Sequence, residues 1–370
     1  MKISGIIILN LFVIMLLSGL GYANSTMSRG VWIDKSQLHQ EKKELYRQFQ
    51  ELIDANFNTF YINTQYKGTV PYPKSRYLPQ DPDLEGKDIF PEMIKYLHSE
   101  GEWVEAWPEY GFYSFHVNSA TKAESHGVVL DEHPDWAAID RDGNNYLHNE
   151  KWGDFYTLCP ANPEVHEWLT GLYCEIITNY NFDGINLDRM RFPTDDYCYC
   201  PYCKKRFFSD TGINLQDVKK GFPEYEKFSD WKKKQLTGFI KKLSYKLRET
   251  RPGIIITAAV VSPDLIDEKS QDWPLWSKNG YLDAVAPMLY SNTPNKAAEE
   301  VRNLVEPDFY IFYGFSAEFS TEKFLRNISL LPKNYPYDGI TVWYAGHVMD
   351  DLEALAEGPF KEKCDPPFKK

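Results

Sequence analysis

The chain has 370 residues, 43% of them hydrophobic, which is enough for one large core or two small ones. Its formal net charge is -12, and its longest basic steps are Lys232-Lys233-Lys234 and Lys241-Lys242, so nucleic acid is excluded as a partner. Aromatic residues make up 15%, which suits stacking against sugar rings but equally suits the filling of a large core.

The N-terminus opens with Lys2 and an apolar run over 6–17 broken only by Asn10. Small and turn-forming residues follow up to Gly21-Tyr22-Ala23, the pattern of a secretory signal peptide over 1–23. The run is short for a membrane span, and no Cys follows it to carry a lipid. The mature chain, 24–370, is expected to be one domain, secreted or periplasmic, with no stable membrane anchor.

Mostly apolar stretches predict strands over 30–34, 59–63 and 103–107. Helical spacing marks 41–55, where Leu45, Phe49, Leu52 and Ile53 share a face, and 90–98, with Pro91 in its first turn. A long excursion, 113–157, contains the turn signal Asp140-Arg141-Asp142-Gly143. A helix over 162–180 leads into 182–193. There Ile185 and Leu187 point to one side and Asn186 and Asp188 to the other, before the chain runs out through Arg189 and Arg191. A cysteine-bearing insertion occupies about 196–211, and an amphipathic helix over 223–251 stops at Pro252-Gly253. Strands are expected over 254–261, 282–290, 309–314 and 339–344, with helices over 295–305, 320–331 and 350–357.

Eight strands alternating with helices, and no Gly-rich phosphate turn after the first, favour a (β/α)8 TIM barrel over an open doubly wound sheet. The surplus length falls in the loops after the second, third and fourth strands. In a barrel these long βα loops all sit at the C-terminal face, where chemistry is done.

The residues that follow the strands are therefore the candidates. Glycoside hydrolysis generally uses two carboxyls, one to protonate the leaving oxygen and one to act as nucleophile or to activate water. Glu109 and Asp188 leave neighbouring strands and form the expected catalytic pair. Their alternative roles are a loop-capping acid for Glu109 and a salt-bridge partner of Arg189 or Arg191 for Asp188. Asp34 and Glu318 are reserves, and Asp183, at the far end of its strand, reads as a turn or cap residue. Expected substrate contacts are Trp32, Asn63, Trp107, Tyr110, Asn186, Arg189, Arg191, Tyr290, Trp343 and His347, with Asn292 beside Tyr290 on the same rim; Trp32 and Trp107 are also candidates for plain barrel core. There is no Gly-x-Ser-x-Gly elbow, no His-Glu-x-x-His and no P-loop.

Cys198, Cys200 and Cys203 form C-x-C-x-x-C, whose thiolates can converge on one zinc, with Cys159 as the fourth ligand of a structural site. Disulfides are the alternative in an exported protein. Cys174 reads as a buried thiol within a helix, and Cys364 lies in a polar tail.

Several stretches occur in a recognisable order: Gly30-Val31-Trp32, Asn58-Thr59, Ala106-Trp107-Pro108-Glu109-Tyr110-Gly111-Phe112, His133-Pro134-Asp135-Trp136, Asp142-Gly143, Cys159-Pro160 with Asn162-Pro163-Glu164-Val165, and Phe182-Asp183-Gly184-Ile185-Asn186-Leu187-Asp188 with Arg191-Phe192-Pro193. As a series over roughly 28–350 they resemble the glycosyl hydrolase-like family 10 proteins, exported bacterial barrels. The resemblance implies a glycan substrate, polysaccharide or peptidoglycan-type, and places Glu109 and Asp188 at motif positions. Some members resemble enzymes that cut peptidoglycan strands lacking stem peptides. The cysteine cluster departs from the plainer members and is similar to the zinc-binding cluster of family 42 β-galactosidases. The expectation is an exported glycoside hydrolase with a structural zinc and no catalytic cofactor. The rivals are a non-catalytic glycan-binding barrel and a metal-dependent hydrolase or deacetylase, the latter disfavoured by the lack of a His-rich rim.

Overall fold

The computed structural model describes residues 26–118, 125–290, 294–318, 320–331 and 337–369. The signal peptide expected over 1–23 and the rim residue Asn292 lie outside the described residues. Eight parallel strands close into a barrel. They are β1 (Ser28–Ile33), β2 (Thr59–Asn63), β3 (Trp103–Trp107), β4 (Gly184–Leu187), β5 (Ile255–Val260), β6 (Ala284–Pro287), β7 (Tyr310–Ser316) and β8 (Gly339–Trp343). Each pairs with its neighbours in sequence, and β8 returns to β1 with Gly30 opposite Thr341. The intervening helices include α1 (Lys42–Asp54), α2 (Phe90–Glu100), α3 (Pro163–Asn179), α4 (Pro201–Thr211) and α5 (Pro223–Thr250). Each of these begins at or near a residue that suits a first turn, most plainly the prolines of α3, α4 and α5, where the missing N–H costs nothing.

The strand period of two decides what fills the barrel. Outward-facing Val31, Ile33, Ile185 and Leu187 pack with the helices in the main core. Inward-facing Trp32, Tyr61, Trp107, Ala259, Ala284, Ala286 and Phe312 form a separate cluster inside. Alanines on β5 and β6 leave room for large rings on β1, β2 and β3. Phe368, from the C-terminal tail, closes the bottom against Tyr310 (ring centroids 4.8 Å) and Trp103 (5.9 Å).

The N-terminal end of the barrel is held by four equivalent clamps. Asn58, Asp183, Asp283 and Asp338 each immediately precede an even-numbered strand. Each side chain accepts the backbone N–H of the second residue of the preceding odd-numbered strand: Arg29 at 2.8 Å, Val104 at 2.8 Å, Ile256 at 2.8 Å and Ile311 at 2.9 Å. Asp183 also pairs with His98 at 2.9 Å. Its place is the stability end of the barrel, away from the loops that follow the strands.

The excursion expected over 113–157 carries its own three-stranded antiparallel sheet, with Gly153–Thr157 in the centre between Tyr113–Val117 and Tyr146–Asn149. A loop this long needs partners for its backbone groups, and the sheet supplies them. The ion pair of Lys151 with Glu318, 3.9 Å apart, joins the loop between its last two strands to the segment just after β7. β3, which feeds the sheet, and β7 are opposite in the barrel order, so the sheet spans the C-terminal mouth.

Candidate active site

β3 and β4 are hydrogen-bonded neighbours, with Glu105 opposite Gly184. Glu109 lies two residues past β3, and Asp188 directly follows β4. The segment carrying Glu109 is pressed onto β4 at Gly111, which has φ 49°; a Cβ there would fall 2.2 Å from the Asp188 carbonyl oxygen. Only glycine permits both the left-handed backbone and that approach.

Both carboxylates are buried, Glu109 at 4% exposure and Asp188 at 6%. Glu109 accepts from Asn63 Nδ2 at 2.8 Å and from Arg189 Nη2 at 3.2 Å. Asp188 accepts from Trp107 Nε1 at 3.2 Å and from the Arg189 backbone N–H at 2.6 Å. Arg189 thus touches both acids, one with its side chain and one with its main chain, and does so at φ 51°. A non-glycine residue held there stores strain of roughly 1–3 kcal/mol, which the surrounding contacts must offset.

The electrostatics separate the two roles a carboxyl can take. Burial, reinforced by the charges of Asp188 and Asp34, raises Glu109 to about 8 against the opposing pull of Arg189 and Asn63. Near neutrality Glu109 therefore holds a proton, while Asp188 is ringed by two N–H donors. Burial works against the charge of the Arg189 guanidinium, and the Asp188 carboxylate opposes that effect. That guanidinium sits 4.7 Å from the centre of the Tyr110 ring and 5.2 Å from that of Tyr113. Among the described residues its Nη1 has no hydrogen-bond partner, and neither does Nη1 of Arg191.

The residues expected at the site fall into three groups. Asn63, Trp107, Tyr110 and Arg189 converge on the carboxylates. Of these, Asn63 and Trp107 hold the acids with their N–H groups, and Tyr110 is covered, its hydroxyl hydrogen-bonded to His116 Nδ1 at 2.9 Å. Arg191 and Tyr290 line a cavity of about 640 Å³ together with Tyr113 and Asp264; neither Glu109 nor Asp188 is part of its lining. Tyr290 is 36% exposed; its hydroxyl end is raised by burial and by Asp188, with Arg191 opposing. Trp343 stands on the floor edge, 5.5 Å from Trp107 and 6.1 Å from Trp32, ring to ring.

Three expected contacts lie in other surroundings. Asn186 is fully buried and both ends of its carboxamide are used: Trp32 Nε1 donates to Oδ1 at 3.1 Å, and Nδ2 donates to Thr257 Oγ1 at 2.7 Å. Trp32, at 1% exposure, belongs to the barrel interior. His347 packs on Tyr344 at 4.3 Å and makes no contact with either carboxylate. The reserve acids are also accounted for. Asp34 caps the short helix Lys35–Leu38, and Glu318 pairs with Lys151.

Two residues near the site were not anticipated. Glu105, inside the barrel on β3, accepts from Thr257 Oγ1 at 2.5 Å and Trp103 Nε1 at 2.9 Å, and burial raises it to about 8. The alternation Trp103-Val104-Glu105-Ala106-Trp107 already places Glu105 on the same face as its flanking tryptophans. His116 is lowered to about 4 by burial, with Lys67 and Arg189 adding to the effect. No local motif marks it.

The cysteines gather as expected. Sγ atoms of Cys159, Cys198, Cys200 and Cys203 all lie within 4.8 Å of one another, and all four residues are buried. Cys159 Sγ is 3.4 Å from Cys203 Sγ and 3.6 Å from Cys200 Sγ. A disulfide needs about 2.05 Å, whereas sulfurs about 2.3 Å from a tetrahedral cation lie about 3.8 Å apart. The four thiols therefore fit a shared soft cation better than disulfides. Cys200 also caps α4, accepting the Cys203 N–H at 3.4 Å, and its thiol is held far below its usual value by the three neighbouring thiols. Cys174 is half-buried within α3, and Cys364, in the tail, accepts a weak bond from Asn58.

A larger groove of about 790 Å³ lies outside the barrel between α3 and α5, lined by Lys74, Arg76, Glu167 and Lys246 among others. The carboxylate pair does not face it.

Residues 27–306 match the family described as Glycosyl hydrolase-like 10. A protein named glycosyl hydrolase DigH, from Escherichia coli strain K12, is 24% identical over 290 residues, 69% of this chain and 59% of the relative. The Shigella flexneri protein of the same name matches to the same extent. The match thus spans 59% of the length of these relatives. Among solved structures, the PgaB (BpsB) glycoside hydrolase domain of Bordetella bronchiseptica has a TM-score of 0.66 at 16% identity, over 90% of this chain and 97% of that one. A GH42 β-galactosidase from G. stearothermophilus has a TM-score of 0.56 at 12% identity, over 90% of this chain and 57% of that chain. The structural likenesses show a shared barrel; the family match covers most of the sequence, and the chain belongs to the glycosyl hydrolase-like 10 family.

Proposed function

We propose that the protein is an exported glycoside hydrolase, a single barrel domain after removal of residues 1–23, that cleaves a polysaccharide or peptidoglycan-type glycan. The observation that carries this reading is the shared hold of Arg189 on two buried carboxyls, its side chain on Glu109, which burial raises to about 8, and its backbone N–H on Asp188. Glu109 donates a proton to the leaving glycosidic oxygen. Asp188 acts as nucleophile or base on the opposite side. Arg189, Arg191 and Tyr290 orient the sugar, with Trp343 beneath it. The apolar leader over 6–17 supports a secreted or periplasmic location.

The cysteine cluster is assigned a structural zinc held by Cys159, Cys198, Cys200 and Cys203. Four thiolates leave no open position for substrate, so a zinc there stabilises the fold and takes no part in bond cleavage.

One observation favours a second reading, a non-catalytic glycan-binding barrel: both oxygens of Glu109 are already engaged, by Asn63 and Arg189. Product release from peptide-free peptidoglycan strands and polysaccharides, with wild type, Glu109→Gln and Asp188→Asn, decides between them. Loss of product in both variants supports the hydrolase. Binding with no product from the wild type supports the binding barrel.

A further inference from the structure

We propose that Trp152, at the tip of the sheet that spans the barrel mouth, is a stacking platform for a sugar ring of the same glycan, beyond the Glu109–Asp188 pair. The proposal rests on the glycan reading of that cleft and adds a second subsite to it.

All ten tryptophans lie in the described residues, and Trp152, at 47% exposure, is the one that is exposed. It packs in neither the main core nor the barrel interior. An indole left in water forgoes the burial that makes tryptophan useful to a fold, so its position calls for another explanation. The tip that carries it is fixed. Asn149 Oδ1 accepts the backbone N–H of both Lys151 and Trp152, each at 2.9 Å, and Gly153 turns the chain at φ 89°.

The tip is also tied to the cleft. Lys151 Nζ lies 4.3 Å from the centre of the Trp152 ring and 3.9 Å from Glu318 Oε2. The ammonium covers part of the indole and anchors it across the mouth. Glu318 follows β7 and Tyr290 follows its paired neighbour β6, where Tyr290 shares a cavity with Arg191 and Tyr113. The tip therefore meets the rim of the mouth at the segment after β7, next to the β6 end that carries Tyr290. Tyr290 and Trp152 are both exposed rings, and Trp152 stands beside the Lys151 that pairs with Glu318. A glycan passing from the carboxylates over Tyr290 reaches Trp152 next. Flat stacking on an indole selects pyranoses with equatorial substituents, whose ring C–H groups form an apolar face. The ligand class is thus a glycan of pyranoses that present such an apolar face.

The base of the sheet rests on the cysteine region. Tyr197, next to Cys198, donates its hydroxyl to the Tyr146 carbonyl at 2.7 Å, and the Tyr199 N–H donates to Ile139 at 2.6 Å. The cluster therefore supports the strand that leads to Trp152, and the platform is placed by rigid neighbours on two sides.

The test uses chito-oligosaccharides and peptide-free peptidoglycan strands of graded length, titrated calorimetrically into the Asp188→Asn protein so that nothing is cleaved. Affinity is expected to rise with chain length. Trp152→Ala should abolish that rise, weakening the longest oligomers about tenfold while leaving two-sugar fragments within about twofold. Trp152→Phe should restore most of it. Unchanged length dependence in Trp152→Ala overturns the subsite, as does failure of every probe to bind. If the length dependence is lost in Trp152→Ala but the unmodified protein releases no product, the subsite stands and the hydrolase reading fails.

Discussion

The guanidinium of Arg189 lies 3.2 Å from Glu109 Oε1, while the same residue's N–H donates to Asp188 at 2.6 Å. One residue therefore sets the separation of the two acids and the charge that Glu109 feels. Glu109 sits near 8 because burial outweighs this cation. In the proposed role of Glu109 as proton donor, its deprotonation should lower activity as pH rises through about 8. Removing the cation in Arg189→Ala raises Glu109 further, so the alkaline limb of kcat/KM should move to higher pH, with a lower plateau from the lost positioning. Glu109→Gln should remove that limb and lower kcat/KM by about 10²–10⁴. An Arg189→Ala limb at or below the wild-type value would show that the cation does not act on Glu109.

Glu105 gives a separate pH signature, in stability. It is raised from 4.5 to about 8 by burial inside the barrel. Between those values the folded chain holds a proton that the unfolded chain releases. Stability is therefore fully present below about 4.5 and falls as pH rises through 8, the direction opposite to that of a salt-bridged acid. Glu105→Gln keeps an acceptor for Thr257 while removing the charge. Its Tm should depend less on pH than the wild type's between pH 5 and 9, measured by calorimetry.

The cysteine cluster predicts one bound metal per chain. Elemental analysis of the purified protein should find one zinc, retained under mild chelation. Cys200→Ser should lose it, and stability should fall by several kcal/mol because site formation is coupled to folding. A chain that holds no metal and melts unchanged after Cys200→Ser would remove the structural role.

The four clamps at the N-terminal end predict loss of stability without loss of chemistry. Asp283→Ala leaves the Ile256 N–H without its side-chain acceptor and also frees Arg248, which contacts both Asp283 oxygens at 3.0 and 3.1 Å. A loss of about 1–3 kcal/mol is expected by denaturant titration, with kcat unchanged. A large fall in kcat at full folding would place this end of the barrel in the catalytic cycle.

The eight strands were legible because their side chains alternate or run apolar, and that pattern is local. So was the C-x-C-x-x-C cluster, whose spacing brings three sulfurs together; Cys159, expected as the fourth ligand, reaches it with the Trp136 carbonyl and α3 holding its segment beside α4. The role of Asn186 was not legible. Its position after Ile185 faces the barrel axis, as expected, but at a depth where Trp32 and Thr257 use both ends of its carboxamide. Strand alternation gives the direction of a side chain and says nothing of how far below the rim it lies.

The sequence by itself determined the barrel, the end of it that carries Glu109 and Asp188, and the four thiols. Only the tertiary structure decided that Glu109 is buried enough to hold a proton near neutrality, that Arg189 bridges the two acids, and that the excursion folds into a sheet reaching Glu318. The physical reason is range. Hydrophobic periodicity and ligand spacing act over a few neighbouring residues, whereas desolvation and charge pairing depend on groups brought together from β2, β3, β4 and the segment after β7.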